Sequence, residues 1–218
     1  MVLTLHKETV HSALRVALNM NNTALVQRAG DGYTGLAVRI AEQICRERGA
    51  PLTFIEYPDA QSVLQAGPDG WDMAFLAIDA TRTDRLAFSD PYHRVEATFL
   101  VRDALGHRSC TEIMRGNHAI LSTRNAAYQA RLSTLAPKGP IVVAGSPDEA
   151  RQRFLGGEGD ALAGIRETLA SVGISGTRIL PDNFAYIEQA VAVPILAKGQ
   201  ITLINRALKT VLRRNDPE

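Results

Sequence analysis

The chain has 218 residues, 45% of them hydrophobic, and its 24 lysines and arginines nearly balance its 23 aspartates and glutamates. A net charge of +1 excludes the strong field that binding to nucleic acid or anionic lipid requires, so no nucleic-acid partner is expected. Two cysteines are too few for a disulfide framework, and no run of about 18 apolar residues predicts a membrane-inserted helix.

The first part of the chain alternates apolar runs with helical patterns, which is typical of mostly parallel α/β layers. Apolar side chains recur at helical spacing after Gly35, and Gly49 and Pro51 end that pattern. The elements predicted here are strands at 14–18, 52–57 and 73–78, and helices at 35–48 and 59–66.

The second part repeats this alternation. An apolar segment at 97–102 turns polar at 103–111, where we place a domain crossing, and an extended apolar segment at 186–193 carries the chain back. The elements predicted here are strands at 118–122, 141–144, 160–163 and 177–180, and helices at 126–136, 147–155, 165–172 and 201–212.

Two crossings predict two α/β lobes, each a mixed or parallel sheet flanked by helices, with a ligand cleft between them that closes by hinge motion. We assign residues 1–97 with 191–218 to lobe 1 and residues 98–190 to lobe 2.

Residues 72–95 are the most informative stretch. A buried strand at 73–78 leads into a polar loop with Arg82 and Arg85, and a turn follows at 88–92. Loops at the carboxyl ends of strands line the crevice of an open α/β sheet, where an arginine can hold a carboxylate through two parallel hydrogen bonds. The alternative is that both arginines are solvated or pair with neighbouring aspartates.

A Gly-x-Gly-x-x-Gly pattern at 30–35 precedes the first helix, with Glu56 at the end of the next strand, as in a dinucleotide site. That site needs its first glycine directly after the first strand, whereas eleven residues separate Leu18 from Gly30. A flexible loop that leads into the helix is the better interpretation, and no cofactor is expected.

Five motifs occur in the order and spacing of one family. They are the asparagine-rich loop at 19–25, the helix opening at 32–38, the Trp-Asp strand at 71–79, Asp-Ala-x-Ala-Gly at 160–164 and Ile-x-Gln-Ala at 187–190. Together they resemble the type II periplasmic binding proteins of solute-binding family 3. The resemblance covers residues 13–212 and implies the two-lobed periplasmic-binding-protein fold.

The resemblance also implies a ligand site. Arg82, six residues before Phe88, stands where the family grips a ligand carboxylate, which favours it over Arg85. The other ligand-binding positions that we assign are Asn22, Ala77, Ile78, Arg124, Asn125, Ile165 and Gln189.

Residues 122–125 precede a predicted helix, so the helix N-terminus and Arg124 would form a second anion clamp. The alternative is a plain N-cap at Asn125 with an exposed arginine.

Position 165 departs from the amino-acid receptors, which commonly place an aspartate there to receive the ligand ammonium group. Ile165 would leave that group without a counter-charge, at a cost of about 2–5 kcal/mol in a desolvated site. We therefore expect a carboxylate that lacks an α-amino group, unless Glu188 or Glu167 supplies the charge.

The leading hypothesis is a monomeric, non-catalytic receptor for a small carboxylate, which feeds an ABC transporter permease or senses a metabolite. A second is a lyase of the cyclohexadienyl dehydratase type, with Glu188 and Glu167 as its candidate acids. A third is a ligand-sensing domain of a larger receptor. No metal site is expected, because the histidines at 6, 11, 93, 107 and 118 show no ligand spacing.

Residues 1–11 show no basic segment followed by an apolar one, so no export signal is visible. The resemblance implies the periplasm if a leader was removed, and a native N-terminus implies the cytoplasm.

Overall fold

The computed structural model describes residues 12–213; the N-terminal segment, with His6 and His11, and residues 214–218 lie outside that range. Twelve strands and seven α-helices alternate within it. The strands are β1 (Leu14–Asn19), β2 (Gln27–Ala29), β3 (Gly32–Thr34), β4 (Leu52–Tyr57), β5 (Met73–Ala77), β6 (Leu86–Phe88), β7 (His93–Arg102), β8 (Ile120–Thr123), β9 (Ile141–Ala144), β10 (Ala161–Ile165), β11 (Thr177–Ile179) and β12 (Ala185–Pro194). The helices are α1 (Leu36–Arg48), α2 (Ala60–Gly70), α3 (Cys110–Arg115), α4 (Ala127–Leu135), α5 (Pro147–Leu155), α6 (Arg166–Val172) and α7 (Ile201–Arg213).

Ten strands form one mixed sheet, in which eight follow the order β4-β1-β5-β12-β7-β10-β8-β9, while β6 pairs with β12 and β11 with β7. At one end β1 lies parallel to β4 and β5, and at the other β8 lies parallel to β9 and β10. The antiparallel strands β7 and β12 join these two parallel groups. The predicted two-lobed α/β fold is confirmed.

Two long strands run between the lobes. Ala185–Gln189 of β12 pairs with β7, and the following residues of β12 pair with β5, with Gln189 opposite both His93 and Ala77. One core surrounds Ile40 and contains residues from both ends of the described chain, whereas a second surrounds Phe99. The exact division into 1–97 with 191–218 and 98–190 stays a prediction, which this partition of the cores supports.

Residues 103–111 do not form a link between the lobes. They make a 3-10 turn at Asp103–Leu105 and then enter α3, whose Cys110 is buried in the same cluster as Phe99 and Val101. The chain therefore passes between the two cores earlier, along β7.

The segment predicted as a flexible loop contains a hairpin of β2 and β3, with Gly30 at φ +56° between the strands. Gly35 begins α1 at φ +121°, and a Cβ at this position would collide with the carbonyl group of Leu25. Glycine is needed here for both conformation and space. The glycines thus serve a hairpin and a helix start, in keeping with the rejection of a dinucleotide site.

Candidate functional site

The carboxyl ends of four strands meet at one cavity between the two parallel groups. Asn19, Ala77, Thr123 and Ile165 are the last residues of β1, β5, β8 and β10, and all four line it. The cavity volume is about 90 Å³. Elements of both lobes therefore deliver side chains to one enclosed space, as expected for a crevice at the ends of parallel strands.

Amides and hydroxyls from both lobes line the cavity. The Nδ2 of Asn22 donates to the Oε1 of Gln189 at 3.3 Å, and the Oγ1 of Thr168 donates to the carbonyl oxygen of Asn21 at 3.2 Å. Gln61 also lines the space, and its buried Oε1 has no hydrogen-bond partner among the described residues. A ligand donor is the kind of group that such an acceptor requires.

Arg82 lies beside this cavity at the end of the 3-10 turn Ala80–Arg82. Asp79 fixes the turn, since its Oδ1 accepts hydrogen bonds from the amide and the hydroxyl of Thr81 at 2.9 and 2.7 Å. Arg82 is only 5% exposed, and burial lowers the pKa of its guanidinium while Asp79, 3.5 Å away, opposes that shift. The turn thus holds a cation at the edge of the cleft.

The guanidinium of Arg82 contacts two cavity-lining residues through their main chains. Its Nη2 donates to the carbonyl oxygen of Asn125 at 2.7 Å, and its Nη1 lies 3.4 Å from that of Ala77. A guanidinium has five N–H donors, so donors are left for a ligand. Arg85, by contrast, has a side chain that is 73% exposed and lies 3.9 Å from Asp84.

Asn125 has φ +59°, a left-handed conformation that asparagine tolerates better than most residues. It is not the N-cap of α4: Ala126 holds that position, without a side-chain hydrogen bond, so the plain N-cap alternative is wrong. Instead, the carbonyl oxygen of Asn125 accepts a hydrogen bond from Arg82. Arg124 is exposed and lines the cavity, where it adds a second cation.

Tyr128, on the first turn of α4, also lines the cavity, and burial raises the pKa of its phenol to about 12, which a hydrogen bond with Thr123 partly opposes. At neutral pH the phenol therefore keeps its proton and can donate a hydrogen bond.

The structure brings most of the predicted site residues together. Those that line the cavity are Asn22, Ala77, Arg124, Asn125, Ile165 and Gln189. Ile78 and Arg82 do not line it: the amide of Ile78 donates to the carbonyl oxygen of Glu188 at 2.9 Å, and Arg82 lines a neighbouring cavity together with Arg85.

Neither candidate acid reaches the cavity. Glu188 accepts a hydrogen bond from Arg94 at 3.1 Å. It lies on the face of β12 opposite its neighbours Ile187 and Gln189, which line the cavity. Glu167 is exposed on α6. Among the described lining residues Asp59 is the one carboxylate, and its Oδ1 already accepts two hydrogen bonds from Ser62 at the start of α2.

Sequence reasoning missed several lining residues. Asn21 lies within the asparagine-rich loop at 19–25, and the alternation of side chains along β12 could have indicated Ile187 beside Gln189. Gln61, Tyr128 and Thr168 lie on helices whose orientation toward the cleft no local pattern reveals.

Residues 12–213 contain neither a cluster of three or more metal-ligating side chains nor a helix that could span a membrane. No group of three or more His, Cys, Asp or Glu side chains there is arranged to hold a metal ion. None of the helices in that range combines the length and the apolar character that a membrane crossing needs.

The family model described as bacterial extracellular solute-binding proteins, family 3, matches residues 14–216. No curated protein matches the chain.

Solved structures share the fold at low sequence identity. The periplasmic domain of BvgS from B. pertussis is 19% identical with a TM-score of 0.74; the match covers 93% of this chain but only 42% of the BvgS chain. An arginine-bound variant of ArgBP from T. maritima is 17% identical with a TM-score of 0.74, over 91% of this chain and 95% of the other. The ancestral amino-acid-binding protein AncCDT-1, a precursor of cyclohexadienyl dehydratase, is 19% identical with a TM-score of 0.73, over 93% and 90%.

Proposed function

Because the chain belongs to the bacterial extracellular solute-binding proteins of family 3, we propose that it is a receptor whose two lobes close around a small, carboxylate-bearing metabolite. The observation that carries this proposal is the position of Arg82, a nearly buried cation that reaches across the cleft to Asn125 beside a cavity lined from both lobes. A ligand carboxylate held there would contact both lobes and would favour the closed form.

The charges around the cavity favour an anion. Arg124 lines it and Arg82 lies beside it, whereas Asp59, the one carboxylate among the described lining residues, is engaged as a helix cap. Ile165 and Ile187 make part of the wall apolar, so an ammonium group next to them would lack a counter-charge. We therefore propose a carboxylate without an α-amino group. A cavity volume of about 90 Å³ favours a small ligand.

A receptor fits this site better than a lyase. A lyase of the cyclohexadienyl dehydratase type needs a proton donor against its substrate, and both of its candidates, Glu188 and Glu167, lie outside the cavity. The phenol of Tyr128, with its pKa raised to about 12, holds its proton too tightly for efficient acid–base catalysis at neutral pH.

The closed receptor needs a partner that recognises it. We propose delivery to an ABC transporter permease outside the cytoplasm, in keeping with a family of extracellular proteins. A sensor domain would use the same closure, and the match to part of the BvgS chain supports this second candidate. Uptake of the radiolabelled ligand by cells that carry or lack the gene, together with cell fractionation, distinguishes the two: a transport receptor is required for uptake, and a sensor is not.

A thermal-shift screen tests the receptor proposal. Carboxylates with and without an α-amino group are added to the purified protein, and a ligand at one hundred times its Kd should add about 2.7 kcal/mol of stability. Arg82→Ala should abolish the shift, whereas the exposed Arg85→Ala is the matched control and should keep it. A shift that survives Arg82→Ala would refute the assignment of Arg82, and conversion of the ligand to product, detected by mass spectrometry, would refute the receptor.

A further inference from the structure

Two histidines meet at the end of lobe 2 away from the cavity. His107 follows the 3-10 turn after β7, and His118 precedes β8. Their Nε2 atoms are 2.7 Å apart, and the rings are inclined by 70°. Asp160, next to this pair, precedes β10, whose last residue lines the cavity about 16 Å further along the strand. The histidine pair is therefore separate from the ligand site.

Each ring has a carboxylate on the side opposite its partner. Oε2 of Glu112 lies 3.8 Å from Nδ1 of His107, and Oδ2 of Asp160 lies 3.6 Å from Nδ1 of His118. Each carboxylate faces the ring nitrogen that is turned away from the other histidine, so the two Nε2 atoms are left facing each other. Without a metal, one Nε2 donates its proton to the other in a hydrogen bond, and a cation that displaces this proton would bind both nitrogens.

The surrounding backbone holds this arrangement in place. Glu112 belongs to the capping box of α3, and Asp160 accepts from the amide of Ala119 at 2.8 Å. The carbonyl oxygen of His107 accepts from Arg178 at 2.5 Å. A Cβ at Gly116 would come within 2.6 Å of Nε2 of His118, so glycine leaves room for the ring.

The pair is also open to an ion. The His107 and His118 side chains are 33% and 20% exposed, and those of Glu112 and Asp160 are 51% and 44% exposed. Water can therefore complete a coordination shell. Arg178, which donates to the carbonyl oxygen of His107, is also paired with Asp103 at 3.4 Å. The two carboxylates give the site a negative charge that attracts a divalent cation.

We propose that His107 and His118 form a two-histidine site for a divalent copper or nickel ion, with water in the remaining positions. Two nitrogens bound at about 2.0–2.1 Å are about 2.9 Å apart at a right angle and about 3.4 Å apart at a tetrahedral angle. Both separations exceed the observed 2.7 Å, so the rings would move apart slightly as an ion replaces the shared proton. Copper and nickel stand at the tight-binding end of the divalent first-row series for nitrogen ligands. Glu112 and Asp160 orient the rings and do not bind the metal.

Calorimetric titration of tag-free, metal-stripped protein with nickel chloride tests the site. His6→Gln and His11→Gln are introduced first so that these two histidines contribute nothing. This background should bind one ion per chain, and His107→Gln or His118→Gln should weaken binding at least tenfold. His93→Gln is the matched control and should bind as tightly as the background, and magnesium, which prefers oxygen ligands, should not bind.

Copper electron paramagnetic resonance gives a second readout, because two imidazole nitrogens should split the signal and His107→Gln should remove one of them. Asp160→Asn should weaken nickel binding by about tenfold if that carboxylate orients His118. Thermal unfolding without metal checks that each variant is folded. Absence of nickel and copper binding, or binding unchanged in both His107→Gln and His118→Gln, would overturn the site and would leave the carboxylate receptor untouched.

Discussion

The guanidinium of Arg82 donates to the carbonyl oxygen of Asn125, 2.7 Å away, and so joins the strand-end loop of one lobe to the strand-end loop of the other. The donor is charged and nearly buried, and the acceptor belongs to a residue with left-handed backbone. This bond therefore links the two lobes through the residue that we propose as the ligand anchor.

Loss of this bond should shift the ligand-free protein toward an open form. A hydrogen bond to a charged group contributes about 1.5–3 kcal/mol, so Arg82→Ala should raise the ratio of open to closed molecules at least about tenfold. Small-angle X-ray scattering should then give a larger radius of gyration for Arg82→Ala than for wild type and Arg85→Ala. Equal radii for all three proteins would show that this bond does not hold the lobes together.

Ile165 should determine whether the site accepts α-amino acids. Ile165→Asp places a carboxylate in the cavity wall, where it would pair with a ligand ammonium group, and should raise the affinity for α-amino acids at least tenfold over their analogues without the amino group. Ile165→Asn has nearly the same shape without the charge and should show no such gain. Calorimetry with matched pairs of ligands measures the difference, and an equal response of both variants would contradict the charge argument.

Asp72 should make stability depend on pH. Arg15 donates to its carboxylate from the side chain at 2.8 and 3.2 Å and from the main chain at 2.9 Å, and these bonds hold the pKa of Asp72 below its usual value. A carboxyl with a lower pKa in the folded state stabilises the protein above its unfolded pKa of about 3.9, and that contribution is lost as the pH falls through the folded pKa.

Asp72→Asn should therefore lower the urea midpoint at pH 7 and have little effect near pH 2. Because the Asp72 side chain is 38% exposed, solvent screening should limit the loss to about 1 kcal/mol. Asp84→Asn, at a carboxylate that is 74% exposed, is the control. An equal loss for Asp72→Asn at both pH values would contradict this account.

Both cysteines should be inert in the folded protein. Burial raises the pKa of the Cys110 thiol to about 12, with a smaller contribution from Asp182, and burial also raises the pKa of Cys45. The thiolate is the reactive form, so a disulfide reagent at pH 8 should label neither cysteine in native protein and both in urea. Ser133→Cys, at an exposed position of α4, should add one site that reacts at once. Rapid labelling of native wild-type protein would contradict the burial of the two thiols.

Elements with continuous apolar runs could be predicted from the sequence. The strands at 52–57 and 141–144 have the predicted bounds, because a short apolar segment between two turns is typical of a buried strand. The hairpin of β2 and β3 was missed because its residues are exposed or half-buried and show no apolar alternation. The six-residue helix α3 was missed because it is too short for a periodic pattern, although Ser109 and Glu112 form its capping box.

The site was only partly predictable, for a similar reason. Motif spacing indicated Asn22 and Gln189, and the predicted helix after residue 125 indicated Arg124; the structure places all three at the cavity. The position of Thr168 depends on how α6 meets the loop at Asn21, a contact between residues 147 positions apart. His107 and His118 likewise lack ligand spacing in the sequence and meet only because β7, α3 and β8 share one end of the sheet.

The connection between the lobes is a ladder rather than a pair of loose linkers. Residues 93–97 of β7 and 185–189 of β12 are hydrogen-bonded to each other, and both strands continue into the sheet on either side. A paired ribbon bends and twists easily about few axes but resists stretching and shear. The closure that we propose would therefore preserve the backbone bonds of the ribbon, so that the lobes would move as units rather than by local unfolding.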